Sequence, residues 1–279
     1  MVITANGKFP GTKLKGKERY RKLYHYTSFE TFVKIWLTKK LKFGVIENVN
    51  DLQEVAPHVS CGAYINQLPL MQAFCEGKAK YKQISLTMDY DSYIKGCMST
   101  MMWGHYGNKR RGVCIELDYD KLSFHRNTLM GIINYKKILN YSIQLPHDVN
   151  SIKDIQKLII KKKKEIFFTK QLSWKGENEY RIISNEKDFL DIGNAITCIY
   201  LTSYNSDECL LIEKIVENKV PIKYLWFTSS GNKSIPITSE TKKQREIYEK
   251  AKNNPNNCLN KITEQAKEEY KKMKINEKK

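Results

Sequence analysis

The sequence predicts an α+β fold with a mixed or largely antiparallel central sheet and flanking helices. Segments of alternating apolar residues are interleaved with amphipathic segments, without the regular strand–helix–strand repeat of a doubly wound sheet. The composition, with 41% hydrophobic and 28% charged residues, is typical of a globular protein. A chain of 279 residues is long enough to bury a stable core.

The clearest strand signal is Val113–Asp118, in which Val, Ile and Leu fall on one face and Cys, Glu and Asp on the other. Such strict alternation indicates a strand rather than a helix. The other predicted strands are Tyr20–Tyr26, Leu41–Phe43, Ile84–Thr87, Gly131–Tyr135, Glu179–Ser184, Ile196–Leu201 and Tyr224–Thr228.

The first predicted helix begins at Phe29, and its apolar residues recur at helical spacing up to Trp36. Thr27 or Ser28 stands where an N-terminal cap is expected. The other predicted helices, apart from one near residue 151, are residues 56–80, Asp89–Tyr106 and Asp207–Asn218.

Ser151 and Asp154 resemble a capping box, which predicts the start of a further helix. The run Lys161–Lys164 would then spread around its exposed side. The residues expected in its buried stripe are Ile152, Ile155, Ile159 and Ile166.

We expect three segments: a basic N-terminal arm at residues 1–19, one domain at 20–235, and a charged helical C-terminal segment at 236–279. The C-terminal segment carries apolar residues at helical spacing after an Asn-rich break, which indicates an amphipathic helix. This helix would pack on the domain or bind an anion through its lysines.

The net charge of +18 favours a polyanionic partner such as nucleic acid. The basic residues are 41 Lys and 7 Arg, a bias that an AT-rich coding genome would also produce. No stretch reaches roughly 18 apolar residues, and the basic start lacks the apolar core of a secretory signal. We therefore expect a cytoplasmic protein without a membrane anchor.

The standard signatures of several enzyme classes are absent from the sequence. There is no GxxxxGK[ST], GxGxxG, HExxH or GxSxG pattern. The 7 cysteines include no CxxC pair, so we expect reduced thiols and no metal site.

The first of three candidate groups lies at the end of the first domain strand. A His there, followed by a capped helix, would present N–H groups and an imidazole to a phosphate or a ribose hydroxyl. A purely structural His is the alternative. The residues are Tyr24, His25, Tyr26, Thr27 and Ser28.

The second group combines aromatic rings, a His and cations. The rings suit stacking on a base or on nicotinamide, and the cations suit a nucleic acid. The alternative is a helix end that buries Trp103 in the core and leaves His105 in water. The residues are Trp103, His105, Tyr106, Lys109, Arg110 and Arg111.

The third group is Glu177, Glu179 and Arg181, which we expect on one face of a strand. Arg181 would pair with one glutamate and leave the other for chemistry, because unpaired buried carboxylates are disfavoured. The alternative is an exposed, salt-bridged sheet edge.

These groups also carry a family resemblance. The segments LYHYTS, SLT, MWGHYG, GVCIELD and WKGENEYR, from about residue 22 to 228, resemble an uncharacterised bacterial family known as a domain of unknown function. That family in turn resembles, more remotely, the ADP-ribosyltransferases, through the His25-Tyr26-Thr27 and Asn178-Glu179-Tyr180 segments. The resemblance implies an ADP-ribosyltransferase-like fold and NAD as substrate.

The roles below are those that the resemblance implies. Glu179 would stabilise the positive charge that develops on the ribose when the nicotinamide bond breaks. Glu177 would act as the general base and Arg181 would orient the carboxylates. The nucleotide would contact His25 and Thr27, with Tyr106 as the stacking ring. Further candidate contacts are Tyr24, Tyr26, Ser28, Trp103 and His105.

The resulting expectation is an NAD-dependent ADP-ribosyltransferase that modifies RNA or DNA, as a bacterial toxin or phage-defence effector. An antitoxin or immunity protein would then be a candidate partner. The alternatives are a non-catalytic nucleic-acid or nucleotide binder, an NAD hydrolase, and a metal-dependent nuclease using Glu116, Glu177 and Glu179.

Overall fold

A computed structural model gives the fold of most of the domain. It describes residues 2–4, 22–51, 59–60, 68–91, 93–137, 143–144, 149, 151–203, 207–228, 231–236, 242–243, 245–247 and 249–250. The predicted C-terminal amphipathic helix and most of the N-terminal arm lie outside these residues. In the described part of the chain, no helix has the length and apolar character needed to cross a membrane.

The fold is mixed α/β with a mainly antiparallel open sheet, as the sequence predicts at this coarse level. The strands are β1 (Val2–Thr4), β2 (Lys22–Thr27), β3 (Lys40–Lys42), β4 (Gly44–Val45), β5 (Val59–Ser60), β6 (Lys82–Met88), β7 (Val113–Asp118), β8 (Leu129–Ile132), β9 (Asn134–Lys136), β10 (Ile143–Gln144), β11 (Thr169–Gln171), β12 (Glu179–Ser184), β13 (Phe189–Asp191), β14 (Ile196–Leu201), β15 (Ile222–Thr228) and β16 (Gly231–Pro236).

The central sheet has the order β1-β8-β12-β6-β2-β7-β14-β15-β16, with β4 added beside β6. Within the described strands of this sheet, β14 and β15 pair in parallel and the other neighbours are antiparallel. Because β2 and β12 both neighbour β6, the two segments that carry the first and third candidate groups flank one strand.

The helices are α1 (Phe29–Thr38), α2 (Leu68–Ala79), α3 (Thr100–His105), α4 (Ile152–Lys161), α5 (Lys163–Phe167) and α6 (Asp207–Val216). Both predicted caps are confirmed. The Ser28 hydroxyl accepts the N–H of Thr31, and the Ser151 hydroxyl accepts the N–H of Asp154.

The core has parts on both faces of the sheet. On one face, α1 and α6 cover the apolar side of β7, and on the other face α3 packs over Tyr24 and Tyr26 of β2. Helices α2, α4 and α5 enclose a further apolar cluster beside β8 and β12. The predicted alternation in β7 is confirmed, although both of its faces are buried.

Four element predictions are wrong in detail. Within the expected helix at residues 56–80, Val59–Ser60 form the strand β5, which pairs with β10, and α2 begins only at Leu68. The expected helix Asp89–Tyr106 is reduced to a 3-10 turn and the short α3, because the Asp89 and Asp91 side chains accept backbone N–H groups that a helix would use. The expected strand Gly131–Tyr135 is divided between β8 and β9, which pair with different strands. Ile152, expected in the buried stripe, is exposed, because the buried apolar residues of α4 begin at Ile155.

We expect Gly112→Ala to lower the free energy of unfolding by about 1–3 kcal/mol, the usual cost of overpacking. A Cβ atom at Gly112 would lie 2.1 Å from the carbonyl oxygen of Thr27, so β2 and the turn before β7 would have to separate. The matched control is Gly104→Ala in α3, where nothing lies within 4 Å of the added carbon. That change should stabilise the protein by about 0.5–1 kcal/mol. Chemical denaturation of both variants checks the pair, and equal midpoints would contradict it.

Candidate functional site

The site lies where the central sheet opens between β2 and β6. In this pair of strands, Leu23 lies opposite Met88 and Tyr24 lies opposite Thr87. Further along its length, β6 pairs instead with Gly44 of β4. The gap forms a cleft of about 290 Å³. Its lining includes residues from three of the predicted groups and from the turn after β4: Tyr24, His25, Tyr26, Asn48, Asn50, Ser85, Thr87, Tyr106, Lys170, Glu177 and Glu179.

His25 stands on the β2 side of this gap. Strand alternation places its side chain on the face of β2 opposite to Tyr24, which shares a face with Thr87 and Glu179, so His25 borders the cleft from the other face of the sheet. Its side chain is half-buried and forms a hydrogen bond with the backbone of Ser85 on β6. Burial lowers the pKa of His25 to about 4, although the hydrogen bond with Ser85 acts to raise it. The imidazole is therefore neutral at neutral pH and offers a donor and an acceptor rather than a charge.

The opposite side of the cleft is formed by the segment that enters β12. A 3-10 helix ends at Glu177, and Asn178 follows in a left-handed conformation with φ 46°. The Asn178 amide donates to the carbonyls of Met88 and Asp89, at 3.2 and 3.0 Å. Glu177 therefore does not belong to the strand, and the expectation that it shares a strand face with Glu179 is wrong. The turn at Asn178 brings the two carboxylates together instead.

Glu179 is held by a buried two-pronged ion pair. The Nε and Nη2 atoms of Arg181 donate to its two carboxylate oxygens at 2.7 and 2.8 Å. Burial acts to raise the pKa of Glu179, but Arg181, Lys170 and a hydrogen bond from Ser85 outweigh it and hold the pKa at about 2. Glu179 is thus an ionised carboxylate in a fixed orientation.

Glu177 has a different environment. Lys170 Nζ donates to its Oε2 atom at 2.6 Å, and the Tyr106 hydroxyl donates to its Oε1 atom at 2.5 Å. The pKa of Glu177 is raised, first by burial and also by the neighbouring charge of Glu179, although Lys170 and the Tyr106 hydroxyl act to lower it. A carboxylate with a raised pKa accepts a proton more readily, which is what a general base requires.

Together these side chains form a buried cluster of two carboxylates and two cations. Lys170 joins its two halves, because its Nζ atom also lies 3.6 Å from the Oε2 atom of Glu179. The side chains of Glu177, Glu179, Arg181 and Lys170 are each at most 6% exposed. The predicted Arg181–glutamate pair is confirmed, but it is buried and is not a salt-bridged edge. Among the described residues, no three His, Cys, Asp or Glu side chains are grouped to hold a metal ion.

One polar group in the cleft lacks a partner. The hydroxyl of Thr87, which is buried between Tyr24 and Glu179 on neighbouring strands, forms no hydrogen bond within the described part of the chain. An unpaired buried hydroxyl costs about 1–3 kcal/mol. A ligand that supplies a partner would remove this cost.

Several predicted contacts lie away from the cleft. Trp103 is fully buried, and its indole N–H donates to the Cys97 carbonyl at 2.8 Å, so its ring is part of the core. Ser28 caps α1, and Thr27 is buried at the end of β2. His105 is exposed and lies against Trp174, with ring centroids 6.4 Å apart.

The three cations of the second group are exposed on the turn between α3 and β7. Arg110 and Arg111 line a separate cavity of about 360 Å³. Sequence reasoning missed Lys170, and it gave no role to Ser85 and Thr87, although the SLT segment that contains them carries part of the family resemblance. The neighbours of Lys170 in the chain are apolar or uncharged and give no sign of its role, because its partners come from other elements.

We expect the free energy of unfolding of the wild-type protein to decrease as the pH drops from about 6.5 to about 4. In His25→Asn this decrease should be smaller by about 1–3 kcal/mol. In this range the unfolded chain binds a proton at residue 25 that the folded protein excludes. The control is His125→Asn, at an exposed site 3.1 Å from Glu186. Urea unfolding at several pH values checks this. Identical pH dependence in the two variants would contradict it.

Comparison with known proteins gives similarity over part of the site. Residues 102–182 match the family model described as a protein of unknown function, DUF2971. This segment includes Tyr106, Lys170 and the Glu177–Arg181 stretch, whereas His25 lies before it. No curated protein and no solved structure matches the chain.

Proposed function

We propose that this protein is an NAD-dependent ADP-ribosyltransferase that uses the cleft between β2 and β6 to transfer ADP-ribose to a nucleic acid. The observation that carries the proposal is that His25, Glu177 and Glu179 line one cleft although they come from different parts of the chain. An NAD hydrolase, in which water replaces the acceptor, would use the same groups.

The size and polarity of the cleft support a small polar ligand. Its volume of about 290 Å³ is near the lower end of the range for small-molecule sites, which is about 300–1,000 Å³. The reacting end of NAD, nicotinamide with its ribose, suits this space. The unpaired Thr87 hydroxyl and the neutral His25 imidazole offer hydrogen bonds to sugar hydroxyls.

In the proposed reaction, the bond between the ribose carbon and the nicotinamide nitrogen breaks, and nicotinamide leaves with the electron pair. Glu179, ionised and fixed by Arg181, offsets the positive charge on the sugar. The acceptor oxygen or nitrogen forms the new bond to that carbon, and its proton passes to Glu177.

Tyr106 takes a role that differs from the predicted stacking ring. Its hydroxyl is fixed by Glu177 and by a hydrogen bond with Asn50. We assign it to orienting the general base, while its ring forms part of the cleft wall. The place of this enzyme as a toxin or phage-defence effector, with an immunity protein as partner, remains part of the proposal.

Incubation with NAD labelled in its adenylate part, together with separate RNA, DNA and protein pools, tests the proposal. We expect label to enter a nucleic-acid pool and nicotinamide to be released in equal amount. Nicotinamide release without labelling would indicate the hydrolase. If no pool is labelled and no nicotinamide is released, the proposal is wrong.

A further inference from the structure

We propose that the cavity beside the turn Asn108–Arg111 binds a backbone phosphate of the nucleic-acid acceptor. The cavity is separate from the NAD cleft and measures about 360 Å³. Its lining comes from the turn, from the end of β14 and from α6: Arg110, Arg111, Thr202, Ser203, Glu208 and Cys209. The inference rests on the proposed function for the identity of the acceptor.

The two arginines are available for an external anion. Within the described part of the chain, neither Arg110 nor Arg111 has a carboxylate within 4 Å of its guanidinium group. By contrast, Arg181 is committed to the buried Glu179, and Arg245 to the partly buried Glu213. A guanidinium group binds phosphate oxygens in a two-pronged manner, and two adjacent ones match a phosphodiester.

The turn is built in an unusual conformation that presents these side chains. Asn108, Lys109 and Arg110 all have positive φ angles, of 46°, 53° and 74°. Left-handed backbone at three successive non-glycine residues is strained and persists where the surroundings hold it. Here the Thr202 hydroxyl donates to the Arg110 carbonyl, and the Gly112 N–H donates to the Gly107 carbonyl at 2.9 Å.

The charge of the cavity favours an anion. Among the described residues that line the cavity, the carboxylate of Glu208 is outnumbered by the guanidinium groups of Arg110 and Arg111, and Lys109 is exposed on the same turn. Thr202 and Ser203 add hydroxyl groups of the kind that contact phosphate oxygens. The net charge of the whole chain, +18, would attract a polyanion toward this surface.

The position of the cavity fits an acceptor that reaches the NAD cleft. Tyr106, which contacts Glu177, lies four residues before Arg110, so their Cα atoms are at most about 14 Å apart. This upper limit corresponds to about four steps along a nucleic-acid strand. Gly112, a wall of the cavity, also packs against Thr27 at the end of β2, two residues after His25. In this proposal, a strand held by the arginines runs past the end of β2 from the α6 face of the sheet toward the cleft.

The test measures binding of single-stranded RNA and DNA oligonucleotides at several salt concentrations, without NAD. We expect R110Q/R111Q to weaken binding at least about tenfold and to reduce the salt slope by about 0.7, the value for one phosphate contact on a single strand. The control variant is K161Q/K164Q, which removes the same charge from exposed positions on the α4–α5 segment and should change binding much less.

Two results would overturn the inference. One is an equal loss of affinity in both double variants, which would indicate general charge attraction. The other is unchanged oligonucleotide binding in R110Q/R111Q. This result would overturn the inference whether or not the variant also labels a protein pool less in the NAD experiment. The binding is measured without NAD, so it is independent of the NAD experiment. Failure to consume NAD would refute the proposed function, whereas the binding data alone decide the phosphate site.

Discussion

Replacing Lys170 with methionine is expected to lower the free energy of unfolding by about 3–5 kcal/mol, the cost of breaking a buried ion pair. Lys170 lies between two buried carboxylates, 2.6 Å from Glu177 and 3.6 Å from Glu179. Without it, the buried cluster would keep two carboxylates and one cation, Arg181, which pairs with Glu179. Urea unfolding at neutral pH measures the loss.

Two further variants make this result specific to the buried cluster. Lys157→Met removes an exposed lysine 3.4 Å from Asp154 on α4 and should cost at most about 1 kcal/mol. Lys170→Met/Glu177→Gln restores the balance of charge and should be more stable than Lys170→Met. Lowering the pH should also rescue Lys170→Met, because protonation of Glu177 removes the excess negative charge. If Lys170→Met is as stable as Lys157→Met, the cluster does not have the energetic role assigned to it.

The largest expected effect on activity is that of Glu179→Gln, which should slow nicotinamide release at least about hundredfold. A neutral amide in the same place cannot offset the charge that develops on the ribose. Glu177→Gln should act on a different step: transfer to the acceptor falls about 10²–10⁴-fold, the usual contribution of a general base, while release of nicotinamide to water falls less. Measuring nicotinamide release and acceptor labelling in parallel separates the two roles.

The controls for this experiment address both chemistry and folding. Glu76→Gln changes an exposed carboxylate on α2 and should retain the wild-type rates. Because Glu179→Gln leaves the buried Arg181 without its charge partner, Glu179→Gln/Arg181→Met is measured beside it and should be equally inactive. Release of nicotinamide by Glu179→Gln at the rate of Glu76→Gln would refute the assignment of Glu179.

The elements that the sequence predicts well are those whose signals are local. The predicted bounds of β7, β12 and β14 are confirmed, and those of β7 follow from alternation within the strand. The caps at Ser28 and Ser151 follow from side chains that bind their own helix. These interactions need no knowledge of the rest of the chain, so a pattern of a few residues is enough to predict them.

The details that were missed depend on contacts between distant segments. Lys170 is functional in this account because β11 brings it beside Glu177, and nothing in its own neighbourhood indicates that. Asn178 separates Glu177 from β12 by adopting a left-handed conformation, which asparagine tolerates but does not require. Trp103 lies on α3 and Tyr106 directly follows it, and only packing against β2 and the Cys97 carbonyl decides which ring enters the core.

The central claim is that an imidazole on β2 and a carboxylate on β12 grip the same sugar. The most direct measurement is a structure of Glu179→Gln soaked with NAD, since slow turnover in this variant would keep the dinucleotide intact. We expect the nicotinamide-side ribose to lie between His25 and residue 179, within hydrogen-bonding distance of both. NAD bound elsewhere, or an empty cleft at saturating NAD, would contradict the claim.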